Sequence, residues 1–179
     1  LDLRHYLDDE LDMHHSSASL SVRARVMRQM GNTDSHAIWM TRKPHTPVIE
    51  ALNAIDTWLV HRKENPESGR PPELADACFD EGGQQIAAGP DVWDGPWNGR
   101  PEGACLSRYP AFGTSRTVAG GPVSGDVFKC HLQSVEAALS GGVYGEVDMA
   151  PWRSRLAEVF PGGVCDYAQG DAGRPADLP

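Results

Sequence analysis

Glycine and proline are distributed so unevenly that no single regular architecture can run the length of this 179-residue chain. Residues 1–62 hold one glycine, Gly31, and two prolines, Pro44 and Pro47, whereas residues 63–179 hold the other 18 glycines and 12 prolines. Both residue types interrupt helices and strand ladders. The sequence therefore divides at about Arg62 into a segment, 1–62, able to carry long elements and a loop-rich segment, 63–179. Charge divides in the same place, with 7 basic against 8 acidic residues before the boundary and 9 against 17 after it. The formal net charge of −9 argues against nucleic acid or an anionic membrane as the main partner, because phosphate binding needs a basic patch to displace counterions. No apolar stretch approaches the roughly 20 residues of a bilayer span.

In the first segment, Leu1 to Leu7 alternates closely enough to predict a strand, closed by Asp8, Asp9 and Glu10. From Ser19 the positions Leu20, Ala24, Val26, Met27 and Met30 recur at helical spacing, and Gly31 stands where helices end. Ala37 to Met40 suits a short buried strand. Thr46 and Pro47 then predict a helix start, a capping hydroxyl followed by proline at the first helical position. Val48, Ala51, Leu52, Ile55 and Leu59 give that helix an apolar stripe as far as His61.

Strand, helix, strand, helix implies a crossover between parallel strands. Parallel strands are buried on both faces inside larger sheets, and two strands with two helices cannot build one. The loop-rich segment offers only short pieces, Thr117 to Ala119 and Asp126 to Phe128, as further strands. The expectation is that residues 1–62 are the end of a larger α/β sheet. The chain begins with Leu1 and shows no charged-then-apolar leader, so a processed, excised or partial product is expected. Leu132 to Leu139 and a stretch opening at Pro151 predict short helices, and residues 168–179 are expected to fray.

All four cysteines, Cys78, Cys105, Cys130 and Cys165, fall in the loop-rich segment. An even number with no C-x-x-C pair favours two disulfides over a zinc site or a redox motif. Of three possible connectivities, Cys78–Cys105 with Cys130–Cys165 is preferred, because each closes one irregular loop before the chain returns to a helix. Disulfides point to an oxidising compartment, and so to a secreted protein.

Chemistry concentrates between Asp8 and His45. A strand ending in acidic residues, a helix, a short strand, then a histidine before a last amphipathic helix matches the final third of an α/β-hydrolase, where the triad acid follows one strand and the histidine the next. Asp12 is the candidate acid, with Asp8 and Asp9 as fallbacks, and His45 is the candidate base. The bland alternative makes Asp12 a turn residue and His45 an exposed loop residue. His14 is an alternative base or pocket residue, while His15 and His36 read as structural. The histidines near Asp12 lack the spacing of a known metal motif, so no metal or cofactor is expected. The nucleophile is missing: no G-x-S-x-G turn precedes the acid, and Ser115 and Ser124 have the wrong spacing and follow the candidate base. Trp93 and Trp97 could stack on a sugar or an aromatic ester, though loop tryptophans more often form small local cores.

The stretches Asp2-Leu-Arg-His-Tyr-Leu, Asp12-Met-His-His-Ser, Arg23-Ala-Arg, Gly31-Asn, Ile38-Trp39, Ile55-Asp-Thr-Trp58-Leu, Asp76-Ala-Cys78, Val118-Ala-Gly, Asp126-Val-Phe-Lys-Cys130 and Phe160-Pro-Gly-Gly-Val-Cys165-Asp carry a resemblance over nearly the whole chain. It resembles the C-terminal part of exported bacterial α/β-hydrolase-like proteins of unassigned function, distantly similar to tannases and hydroxybutyrate-oligomer hydrolases. The resemblance implies a hydrolase sheet whose nucleophile and oxyanion hole lie in an N-terminal segment, the partner of this chain, with the cysteine-bearing part packed outside it. The expected activity is hydrolysis of ester or related acyl bonds in small or oligomeric substrates. The competing expectation is a non-catalytic, disulfide-braced secreted module that binds carbohydrate or protein.

Overall fold

A computed structural model describes residues 1–176. The chain forms two compact units, Leu1–Phe112 and a second from Gly113 on. The first begins with β1 (Asp2–His5), α1 (Ser17–Met30), β2 (Ile38–Thr41) and α2 (Val48–Glu64). β3 (Ala77–Phe79), β4 (Gln85–Ala88) and α3 (Ala104–Arg108) complete it. The four strands make one mixed sheet in the order β1-β2-β3-β4, with β1, β2 and β3 parallel and β4 antiparallel to β3. This is an α/β fold, as expected, and β1 and β2 pair in parallel with Asp2 opposite Ile38.

The loop-rich segment was expected to add no obvious strands to this sheet; it supplies β3 and β4. Three residues, Ala-Cys-Phe, are too few to show alternation, and what holds β3 in place is long-range. Asp76, fully buried just before it, accepts two hydrogen bonds from Arg23 of α1 (2.5 and 2.7 Å) and one from the Ile38 amide of β2 (2.7 Å). Cys78 of β3 is bonded to Cys105 of α3, with Cα atoms 5.6 Å apart.

The two helices treat the sheet differently. α1 ends at Gly31 in the left-handed conformation (φ 73°), as its sequence predicts. It buries Ser17, Ser19, Leu20 and Arg23, so its inner face is largely polar and works through Arg23 and Asp76. α2 buries Ala51 against Trp39 and Ala77, with Leu1, Leu3, Ala54 and Phe79 packed around them. The predicted stripe differs: Val48, Leu52 and Leu59 are 45%, 56% and 62% exposed, and the helix meets the sheet through Ala51 and Ala54 instead. Thr46 does not cap α2. Its hydroxyl meets the His5 ring at 2.9 Å, and Pro47 takes the capping position instead.

Irregular chain after β4 is packed as tightly as the regular elements. Trp93 is 2% exposed and donates to the Ile38 carbonyl oxygen (3.2 Å), so it is a core residue and not a stacking platform. A Cβ on Gly103 would sit 2.2 Å from the Asp91 carbonyl oxygen, so only glycine fits there.

The second unit contains α4 (Ser115–Val118), β5 (Cys130–Gln133), α5 (Val135–Ser140), α6 (Arg153–Val159) and β6 (Val164–Asp171). β5 and β6 form an antiparallel pair joined by Cys130–Cys165, so both disulfides follow the sequential connectivity. Closing loops of 27 and 35 residues, they stabilise the chain by about 3.5–4 kcal/mol each on the chain-entropy account. Residues 117–118 are helical and not a strand, because the Thr114 hydroxyl accepts the Thr117 amide and caps a turn. Residues 126–128 form no strand; β5 starts two residues later. Leu132 belongs to β5, and the predicted helix begins only after Ser134, which caps it. Fraying was expected from Ala168, yet β6 runs to Asp171; residues 177–179 lie outside the described part.

Candidate functional site

Because β1, β2 and β3 are parallel, the segments that follow them leave one edge of the sheet together: residues 6–16, 42–47 and 80–84. Ligand sites of open α/β sheets form outside such carboxyl ends. The first two segments are tied to each other. Arg42 is ion-paired with Asp9, and its guanidinium lies 5.2 Å from the centre of the Tyr6 ring. The His5 ring meets the Thr46 hydroxyl and also the His45 carbonyl oxygen, at 3.2 Å. The Tyr6 ring stacks, tilted, 5.0 Å from Tyr109, while the Tyr6 hydroxyl donates to the Pro110 carbonyl oxygen (2.8 Å).

The three candidate acids have different roles. Asp8 is 1% exposed, and its carboxylate accepts the Ser16 amide (2.7 Å), the Ser16 hydroxyl (2.9 Å) and the Phe112 amide (3.1 Å). It fastens the start of α1 and has no outward-facing function. Asp9 is occupied by Arg42. Asp12 accepts, on one oxygen, both the backbone amide of His14 and the Nδ1 hydrogen of the His14 ring, each at 2.8 Å. That backbone amide, and after it the ring, holds the Asp12 carboxyl below the usual carboxylate range. A carboxylate can only accept, so Nδ1 carries the hydrogen, and in the neutral ring Nε2 then holds the lone pair. The His14 side chain is 74% exposed, which leaves that nitrogen open to a reacting group.

His45 lies on the neighbouring segment, four residues after β2, and is half-buried. Its ring sits 5.9 Å from the ring of Phe79 and directly against Gly83, where a Cβ would come within 2.8 Å of Nδ1 and Cε1. Among the described residues no hydrogen bond joins Asp12 to the His45 ring; the edge brings Asp12 and His14 together and places His45 on the adjacent loop. His15 and His36 have structural surroundings. His15 Nδ1 meets the Ser17 hydroxyl at 2.5 Å, and His36 is buried beside Arg23, with its carbonyl oxygen taken by Arg23 and Arg70. The sequence did not reveal that His5, Arg42 and Gly83 position the two loops; only the fold brings them to this edge.

Fold and site together define an α/β chain whose parallel strands end in a carboxylate–imidazole pair, braced by two disulfides. The chain belongs to a tannase-like family of unknown function, whose family model matches residues 1–176. No curated protein and no solved structure matches it. The family relationship points to hydrolase kinship. The two disulfides fit an oxidising compartment, and no helix among the described residues is long and apolar enough to cross a membrane.

Proposed function

We propose that these residues are the C-terminal portion of a secreted serine hydrolase of the α/β-hydrolase fold, acting on ester or related acyl bonds. The observation that carries this reading is the Asp12–His14 contact of 2.8 Å at the carboxyl edge of three parallel strands. Asp12 fixes the tautomer of the imidazole and stabilises the imidazolium that forms. The imidazole Nε2 takes the proton of a serine hydroxyl as its oxygen attacks the acyl carbon. The same proton then passes to the departing alcohol, leaving an acyl-enzyme that water hydrolyses by the same route. The serine is supplied by a segment of the protein outside these 179 residues, N-terminal to the acid, and that segment is the partner of this portion. Substrates are small or oligomeric esters.

A second base is favoured by topology. His45 follows the strand next to the one that Asp12 follows, and His5 and Arg42 hold the two loops together. In this assignment Asp12 would pair with His45 in place of His14. Comparison of His14→Ala with His45→Ala in the complete protein separates the two, with turnover of a short-chain aryl ester as the readout. Loss of turnover in one variant, with a fluorophosphonate probe still labelling wild type on the other segment, identifies the base. Full turnover in both variants sinks the hydrolase reading.

A further inference from the structure

The outer end of α1 and the segment 90–100 enclose a groove of about 420 Å³ in the first unit, away from the sheet edge just described. Its walls include Met27 and Arg28 from α1, and Asp94, Trp97, Asn98 and Arg100 from the loop. The loop has almost no regular structure, yet it is built rigidly. Trp97 is half-buried, and its indole N–H donates to the Trp93 carbonyl oxygen (2.8 Å), while Trp93 itself is fixed to β2. The Asn98 side-chain oxygen accepts the Gly95 amide (3.0 Å), and a Cβ on Gly95 would collide with Leu106 at 2.3 Å. The Cys105 amide donates to Val92 (3.0 Å), so the disulfide to β3 clamps the far end of the loop.

The polar groups on this platform form a connected set that is only partly used. One Asp94 oxygen accepts from Asn98 (2.8 Å) and the other from Arg100 (3.2 Å). Each carboxylate oxygen keeps a lone pair, and both the amide and the guanidinium keep further N–H groups. The groove is thus lined by an indole, with acceptors and donors in close succession. An anion entering it would meet Asp94 and Asp91, and a cation would meet Arg28 and Arg100. A neutral polyhydroxyl ring meets neither conflict, because each hydroxyl both donates and accepts.

We infer that this groove is a subsite for a neutral pyranose, with cellobiose as its probe, whose C–H face lies on Trp97 and whose hydroxyls are read by Asp94, Asn98 and Arg100. The volume falls within the range of small-molecule sites. The inference is independent of the hydrolytic reading, since no residue is shared between the groove and the Asp12 edge.

Cellobiose titrated into the intact protein, followed by calorimetry and by saturation-transfer NMR, tests it. Wild type should bind saturably, and Trp97→Ala should bind about tenfold or more weakly. Trp97→Phe, which keeps a ring, should retain affinity within a few-fold. If Trp97→Ala fails to give the wild-type circular dichroism spectrum, Arg100→Ala serves in its place, because that side chain is 57% exposed; it should weaken binding several-fold. Absence of saturable cellobiose binding by the folded wild type overturns the inference. So does binding that folded Trp97→Ala and Arg100→Ala both leave unchanged, and so does binding of benzoate in place of cellobiose with dependence on Arg100.

Discussion

Asp76→Asn is the perturbation that most directly tests how the first unit is held together. The Asp76 and Arg23 side chains are 1% and 6% exposed, and their two hydrogen bonds measure 2.5 and 2.7 Å. Arg70 approaches the same carboxylate at 3.4 Å, and the Ile38 amide donates to it at 2.7 Å. Asparagine keeps the shape but removes the charge, leaving Arg23 buried without its counter-ion. Breaking one side of such a buried pair costs about 3–5 kcal/mol, against total stabilities of about 5–15 kcal/mol for ordinary domains. At about 4 °C per kcal/mol for a unit of this size, the melting temperature should fall by about 15 °C. Urea unfolding under oxidising conditions, followed by tryptophan fluorescence, reads it, because Trp39 and Trp93 are buried in this unit. Exchange of both partners, Arg23→Met with Asp76→Leu, should recover part of the loss, since a matched apolar pair avoids the stranded charge. A loss under about 1 kcal/mol for Asp76→Asn would refute the claim that this ion pair locks α1, β2 and β3 together.

Burial, and after it the Arg23 guanidinium, pushes the His36 imidazole down from 6.5 to about 4, so it stays neutral in the folded state. The unfolded chain then binds the extra proton between pH 6.5 and 4. Stability present above pH 6.5 should therefore decline as pH falls through that window, by about 3 kcal/mol in all. An NMR titration should find His36 still neutral at pH 5, and His36→Gln should flatten this part of the stability profile. Replacement of Cys130 and Cys165 together by alanine should lower the stability of the second unit by about 3–4 kcal/mol, read as the urea midpoint of the amide NMR signals of β5 and β6. A change below about 1 kcal/mol would mean that β5 and β6 hold without the bond.

The first segment was legible because its elements are local. Gly31, the alternation of Leu1 to Leu7 and the apolar run at Ile38 each fix a structure within a few residues. β3 and β4 were not legible, since Ala-Cys-Phe becomes a strand only through Asp76, Arg23 and the disulfide, which are distant in sequence. The even cysteine count pointed to two disulfides but left three connectivities open; the pairing preferred on loop closure is the one the fold adopts. At the candidate site, Asp12 and His14 pair across two residues, a contact that sequence proximity allows and the turn enforces. The surroundings of His45 depend on Gly83, 38 positions away, and no spacing rule reaches that far. Trp93 and Trp97 looked alike in sequence; only packing separates a core residue from one that lines a groove.

The proposed mechanism makes Asp12 the acid whichever histidine is the base, so Asp12→Asn in the complete protein tests that central proposal most directly. Among the described residues its carboxylate makes its hydrogen bonds to His14 alone and is 40% exposed, so the substitution should leave the fold and thermal stability unchanged. The account predicts that kcat/KM for a short-chain aryl ester falls by about 10⁴, the loss expected when a triad imidazole is held in the wrong tautomer. Turnover within a few-fold of wild type, in a variant with the wild-type melting temperature, would contradict it.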